Sequence, residues 1–294
     1  MITNYQILAD SSCDLPFSLA RSLGVSYAPL RVQFQGAEYE NFLDGDPRSR
    51  LDIKAFYSAL RTGTPTSTTA VNPEGWSALM TPVLEAGQDI LVLAFSSGLS
   101  STYAAAVLAA QELGSRYPAR TIRVVDTLCA SMGQGLLIYH AVQRQRAGES
   151  LEQVTDFVEA NKLHLCHWFT VDDLHFLKRG GRISSATAVL GTMLSIKPVM
   201  HVDDEGHLTK VGTARGRNAS LKALVDHMAE TAIDPAGQTV FISHGDCEED
   251  ANKVAEDVKR RFGVQTVVLN NVGPVIGAHS GPGTVALFFL GRHR

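Results

Sequence analysis

Short apolar runs alternate with longer amphipathic stretches through the first half of the chain. "QILAD" precedes "LPFSLARSLG", "DILVLAF" precedes "SSTYAAAVLAAQELGSRY", and "TIRVVD" precedes "ASMGQGLLIYHAVQRQRAG". The apolar runs are brief and nearly unbroken, which predicts strands buried on both faces. Strand followed by helix, repeated along the chain, predicts an open and mainly parallel sheet with helices on both faces. The polar helical stretch "GESLEQVTDFVEANKLH", entered through a glycine and a serine, closes this unit.

Beyond it the pattern changes. "CHWFTVDDLHFLKRGG" predicts a strand leading into a short helix stopped by Gly180 and Gly181. "KPVMHVDDEGHLTKVG" predicts two extended runs around a "DDEG" turn, a hairpin. In "EEDANKVAEDVKRRFG", Ala251, Val254, Ala255, Val258 and Phe262 share one helical stripe, with acids early and bases late as the helix dipole favours. This helix lies between "TVFISHGD" and "TVVLNNVGPVIGAHSGPGTVALFFLG", which places His279 in a loop between the last two strands. The expected architecture is a two-domain α/β fold. Residues 1–163 form the N-terminal domain and residues 164–294 a C-terminal mixed α/β domain with parallel and antiparallel pairing.

The composition fits this picture. A chain of 294 residues that is 45% hydrophobic and 19% charged has the length for two domains and the make-up of a globular protein. Its net charge of -4 gives no electrostatic reason to expect nucleic acid. No apolar run is long enough to span a bilayer, and "MITNYQILADSS" lacks a signal peptide's basic start and apolar stretch, so a cytoplasmic protein is expected. The four cysteines are widely spaced and read as reduced thiols. His164, Cys166 and His167 in "HLCH" lie close together, but a strand turns His167 away from the other two, so no metal site is expected.

Ligands of open α/β sheets gather at the C-terminal ends of strands, which selects three loops. In "DSSCDLP", Asp10, Ser11, Ser12 and Asp14 either cap a helix or face a ligand. "TPTSTTAVNPEGW" reads as a loop in which Asn72 suffices to cap the next helix. Thr66, Ser67 and Thr68 are then left as neutral donors for a carboxylate or phosphate, or as solvated residues. "FSSGLSSTY" sets Ser96, Ser97, Ser100 and Ser101 around Gly98, an anion-cradling arrangement without the lysine of a Walker loop or the GxSxG of a nucleophile elbow. In "LKRGGRIS", Arg179 and Arg182 either complement their own helix end or form a docking or anion-binding patch. A lone histidine is usually structural, but glycines at 273, 277, 281 and 283 permit close ligand approach, which tips His279 towards ligand contact. Two other readings use the same residues. One is a serine esterase or acyltransferase with Ser97 as nucleophile, His279 as base and Asp10 or Asp126 orienting it. The other is a small-phosphate binder, which lacks a basic residue beside the hydroxyls.

Taken in order, "DSSCDLP", "PTSTT", "SSGLSSTY", "LKRGGRIS", "KPVM" and "GPVIGAHSGPGTVALFFLG" resemble the DegV family of bacterial fatty-acid-binding proteins from residue 10 to residue 291. The resemblance implies one long-chain fatty acid, such as palmitate, held in a tunnel between two domains, with no cofactor or metal. It implies a lipid-binding carrier and not an enzyme. The carrier presents the carboxylate to an ATP-dependent fatty-acid kinase and carries the acyl phosphate for phospholipid synthesis. By motif, Thr66 and Ser67 of the "TS" pair, Ser97 with the Gly98 backbone, and His279 would hold the carboxylate, while Arg179 and Arg182 would face the kinase. A monomer that docks transiently is expected. Two departures bear on the headgroup: Ala70 stands where the family carries a hydroxyl, and Ser101 stands where it usually has glycine. "ATAVLGTMLSI" and "TVALFFLG" are the expected apolar walls for the tail. A carboxylate beside His279 would favour imidazolium, and binding would then weaken at alkaline pH.

Overall fold

The computed structural model describes residues 4–183 and 195–294. The chain runs through β1 (Tyr5–Asp10), α1 (Phe17–Leu23), β2 (Ser26–Ala28), β3 (Arg31–Phe34), β4 (Ala37–Glu40), α2 (Ile53–Arg61), β5 (Thr66–Thr69) and α3 (Pro73–Glu85). It continues through β6 (Asp89–Ala94), α4 (Thr102–Arg116), β7 (Ile122–Asp126), α5 (Met132–Arg146), α6 (Leu151–Asn161), β8 (Leu165–Thr170) and α7 (His175–Arg179). The remainder holds β9 (Ile196–Val202), β10 (Leu208–Arg215), α8 (Arg217–Thr231), β11 (Thr239–His244), α9 (Glu248–Phe262), β12 (Thr266–Asn271), α10 (Pro274–Ser280) and β13 (Val285–Leu290).

The described residues form three sheets. The order β2-β1-β6-β7 is parallel throughout, as the repeated strand–helix pattern predicts. A six-stranded sheet has the order β10-β9-β8-β13-β11-β12, with only the β11–β12 pair parallel. A small antiparallel sheet, β4-β3-β5, stands beside them.

Alternate residues of β6 feed two cores. Leu91 and Leu93 pack with α5, while Ile90, Val92 and Ala94 pack with α3 and α4. The unbroken apolar run of β6 follows from that double burial. Helix α5 is wedged between the sheets, touching β6 on one side and β8, β11 and β13 on the other. It is therefore buried continuously from Met132 to Ile138, the behaviour of a helix with no solvent face. The far face of the six-stranded sheet is covered by α8 and α9, where Leu224 and Val254 meet Ile242, Leu287 and Phe289. On the predicted α9 stripe, Ala251, Val254, Ala255 and Val258 are buried and Phe262 packs at its edge. Each valine contributes about 1.5–3 kcal/mol of burial before entropy is charged against it. The capping box of α6 sits where its serine entry suggests, with Ser150 and Gln153 exchanging side-chain and backbone bonds at 3.2 and 2.9 Å.

Two expectations differ from the structure. "TSTT" is a strand and not a loop, paired antiparallel to β3 with Thr66 opposite Phe34 and Thr68 opposite Val32. Threonines suit a pleated strand, and β3 supplies the partner that the local sequence does not reveal. His279 sits on α10 and not in a loop. Proline at the first helical position and Gly281 at the C-terminal cap are the punctuation of a short helix.

Candidate functional site

The residues that follow β6 lie at the C-terminal edge of the parallel sheet and face β8 and β13 of the six-stranded sheet. Between them lies a cavity of about 240 Å³, walled by apolar side chains that include Phe95, Leu99, Phe169, Leu177, Ala286 and Phe288. Ala286 and Phe288 alternate along β13, so "TVALFFLG" turns one face to the cavity and sends Leu287 and Phe289 into the outer core. Of the other expected wall, "ATAVLGTMLSI", residues 186–194 lie outside the described residues, as does Ser184 of "LKRGGRIS".

Polar groups gather where β5, α7 and α10 meet. Thr68 Oγ1 lies 2.7 Å from His279 Nε2, and both residues line the cavity. The opposite edge of the imidazole rests on Gly180, where a Cβ would lie only 2.2 Å from Nδ1. Arg182 also lines the cavity, with Nε donating to Leu99 O at 3.2 Å and Nη1 to Gly180 O. Burial, and then the positive charges of Arg182 and Arg179, push His279 down to about 4, so its ring is neutral at pH 7. His279 Nδ1 and Ser280 Oγ are buried without a hydrogen-bond partner among the described residues. A hydroxyl, an imidazole and a guanidinium at the end of an apolar cavity suit a carboxylate, which accepts several bonds and gains from the positive charge.

The other expected site residues are distributed as follows. The period of β5 leaves Thr66 and Thr68 half-buried and turns Ser67 outward. Thr66 Oγ1 is buried and has no hydrogen-bond partner among the described residues, but Thr68 is the strand residue that lines the cavity. Ser97 is exposed, and its N–H donates to Asp126 Oδ1 at 3.1 Å. The Gly98 N–H donates to Ser96 Oγ at 3.2 Å, and Gly98 lies under the β9–β10 turn, where a Cβ would meet the Glu205 and Gly206 carbonyl oxygens at 2.9 Å. From this loop it is Ser100 and Ser101 that line the cavity. Ser100 Oγ accepts from Thr102 N at 3.2 Å and so caps α4, whereas Ser101 makes no side-chain cap bond. Ala70 also lines the cavity, so both departures from the family pattern face it. The two arginines part company, since Arg179 is exposed with its guanidinium 4.9 Å from the Phe176 ring centre. The Ser97–His279–Asp constellation of the esterase reading is not assembled: His279 Nε2 bonds Thr68, and Ser97 bonds Asp126 through its backbone only.

Sequence reasoning offered Thr68 as one of three candidate donors without separating it from Thr66 and Ser67, and did not offer Ser131, Ser243 or Ser280; all four line the cavity. Strand alternation in "TSTT" is the signal that separates Thr68 from Ser67. Nothing local marks the three serines, because burial by a distant sheet places them. "DSSCDLP" fastens the two halves together. Asp10 accepts from Ser12 N, Phe95 N and Gln134 Nε2 at 3.1, 2.8 and 3.2 Å. Asp14 accepts from Ser131 Oγ at 2.6 Å and Gly273 N at 3.0 Å. Burial raises both carboxyls, Asp14 to about 8.

Comparison with known proteins gives a consistent result. The family model described as "Uncharacterised protein, DegV family" matches residues 4–292. A DegV domain-containing protein of Clostridium perfringens is 43% identical over 287 residues, covering 98% of this chain and 97% of the relative. A solved fatty-acid-binding DegV-family protein from Thermus thermophilus superposes with a TM-score of 0.86 at 31% identity, over 97% of this chain and 99% of that one. A DegV lipid-binding protein from Thermotoga maritima gives 0.85 at 27% identity, over 99% and 100% of the two chains. With its motifs in order and its match running nearly end to end, the chain belongs to the DegV family.

Proposed function

We propose that this protein binds one long-chain fatty acid in the cavity between its two large sheets and carries it for an ATP-dependent fatty-acid kinase. The observation that carries the reading is an apolar cavity ending in Thr68, His279 and Arg182. The fatty-acid binding of the Thermus thermophilus relative supports it. Burying about sixteen carbons at ~0.8 kcal/mol per CH₂ supplies on the order of 12 kcal/mol before association and ordering costs. The tail therefore carries most of the affinity, and the polar end sets orientation and keeps the carboxylate from being buried unpaired. Thr66, Ser67, Ser97 and Gly98 flank the cavity-lining Thr68, Ser100 and Ser101, so the headgroup contacts in this reading fall on the same two segments.

In the proposed reaction a carboxylate oxygen attacks the γ-phosphorus of ATP held by the kinase. The bond to the ADP oxygen breaks, and the acyl phosphate stays with its tail in the cavity. In this reading Arg179, exposed three residues before Arg182, meets the partner's surface. Solvent extraction of the purified protein followed by mass spectrometry tests the binding, with one equivalent of fatty acid as the expected result. Absence of stoichiometric lipid, together with no uptake of added palmitate or oleate, overturns it.

A further inference from the structure

The glycines at 273, 277, 281 and 283 suit close approach to the backbone, and in the structure a protein side chain fills the space beside each one. A Cβ on Gly273 would come within 3.0 Å of Asp14 Oδ1, and one on Gly277 within 3.0 Å of the Tyr57 hydroxyl. A Cβ on Gly281 would come as near to the Phe176 ring, and one on Gly283 to the Asp172 carboxylate. Spaced four residues apart, Gly273, Gly277 and Gly281 mark one side of α10, which α2 and α7 pack against.

Tyr57 is the most buried of these four side chains. Its ring meets Phe56 edge to face with centres 5.4 Å apart. Its hydroxyl donates to Val272 O at 2.7 Å, just before α10 begins, and this is its one strong bond among the described residues. A helix turns about 100° per residue, so His279, two residues beyond Gly277, points to roughly the opposite side. There it lines the cavity with Ile276 and meets Thr68 at 2.7 Å. Tyr57 thus stands behind the helix that carries His279, and Thr68 stands in front of it. Because α10 has only two turns, its depth at Gly277 sets where the imidazole lies. A shift of about 1 Å would take the Thr68–His279 pair out of hydrogen-bond range.

We propose that Tyr57 is a positioning residue for the headgroup: by bonding Val272 O and bearing on Gly277, it sets the depth of α10 and so holds His279 against Thr68 and the fatty-acid carboxylate. This deepens the fatty-acid reading and rests on it. The test measures palmitate, and hexadecane as a tail without a headgroup, by displacement of a fluorescent fatty acid. Tyr57→Phe keeps the ring in the core and removes only the hydroxyl. The ratio of palmitate to hexadecane affinity falls about threefold or more in this variant. In the His279→Ala background the same substitution lowers the ratio no further, because no imidazole remains to be positioned. Gly277→Ala, whose methyl meets the Tyr57 hydroxyl and drives α10 off its seat, lowers the ratio as well. Thermal unfolding confirms which variants are folded, and either one decides. Equal losses for palmitate and hexadecane, with the ratio unchanged, mean that Tyr57 serves the core alone and overturn the inference while the fatty-acid reading stands. A full additional fall in the His279→Ala background also overturns it. If the wild-type protein binds no palmitate, the fatty-acid reading fails and this one with it.

Discussion

His279 is held by two unlike neighbours: Thr68 bonds its Nε2, and Gly180 lets its Nδ1 edge come close. Gly180→Ala would push the ring off Thr68. It is expected to weaken palmitate binding by on the order of tenfold, the worth of one hydrogen bond, in a displacement assay. An unchanged affinity would show that the ring position is immaterial. His279→Ala removes the same bond and leaves the tail contacts, so affinity falls about tenfold or less, while phosphoryl transfer by the proposed kinase partner is lost far more deeply. Equal losses would mean that tail and headgroup do not divide the work in this way. The pH dependence has a definite sign. Free His279 titrates at about 4, and a bound carboxylate raises that value, so its contribution to affinity declines as pH rises from about 4 through the bound-state value. The wild-type to His279→Ala affinity ratio should fall with rising pH across that window.

At the scale of elements, the turn of the β9–β10 hairpin connects the halves. Ser96 Oγ donates to Gly206 O at 2.8 Å, and Val202 and Leu208 on either side of the turn line the cavity. Gly206 has φ of +80°, and a Cβ there would lie 2.2 Å from Ser96 Oγ. Gly206→Ala therefore combines left-handed strain with overlap and is expected to cost about 2–3 kcal/mol in urea unfolding. Release of bound fatty acid should accelerate with it, and an unaltered release rate would mean that the hairpin does not close the cavity. The same turn was legible as "DDEG", because Gly and Asp state their preference locally. β5 was not, because a four-residue strand is decided by β3 beside it.

Over the whole molecule, α5 is the common wall of two sheets, and Asp10 and Asp14 bind the loops around it. The strands of the parallel sheet end at Asp126 and those of the six-stranded sheet begin at Leu165, which supports a proposed division of the chain at 163/164. Asp14 gives the assembly a pH signature. Its folded pKa, raised by burial from 3.8 to about 8, contributes stability that is fully present below about 4 and lost as pH rises through about 8. Buried His140 and His279, both lowered to about 4, act oppositely, with stability present above about 6.5 and lost as pH falls. Asp14→Asn should therefore flatten the decline in urea stability between about pH 6.5 and pH 8 and leave the acid limb in place. Parallel declines in the two proteins would show that Asp14 is not the group responsible.

By itself the sequence determined the strand–helix alternation, the α9 stripe, the hairpin and the family, because periodicity, caps and turn residues act over a few neighbours. It also marked Arg182 and His279 as candidates for chemistry. Only the tertiary structure decided that Thr68 and not Ser67 faces the cavity, that Arg179 and Arg182 point to different places, and that Ser131, Ser243 and Ser280 line that cavity. Those outcomes depend on which distant sheet covers a residue, and burial by a distant sheet leaves no trace in the local sequence.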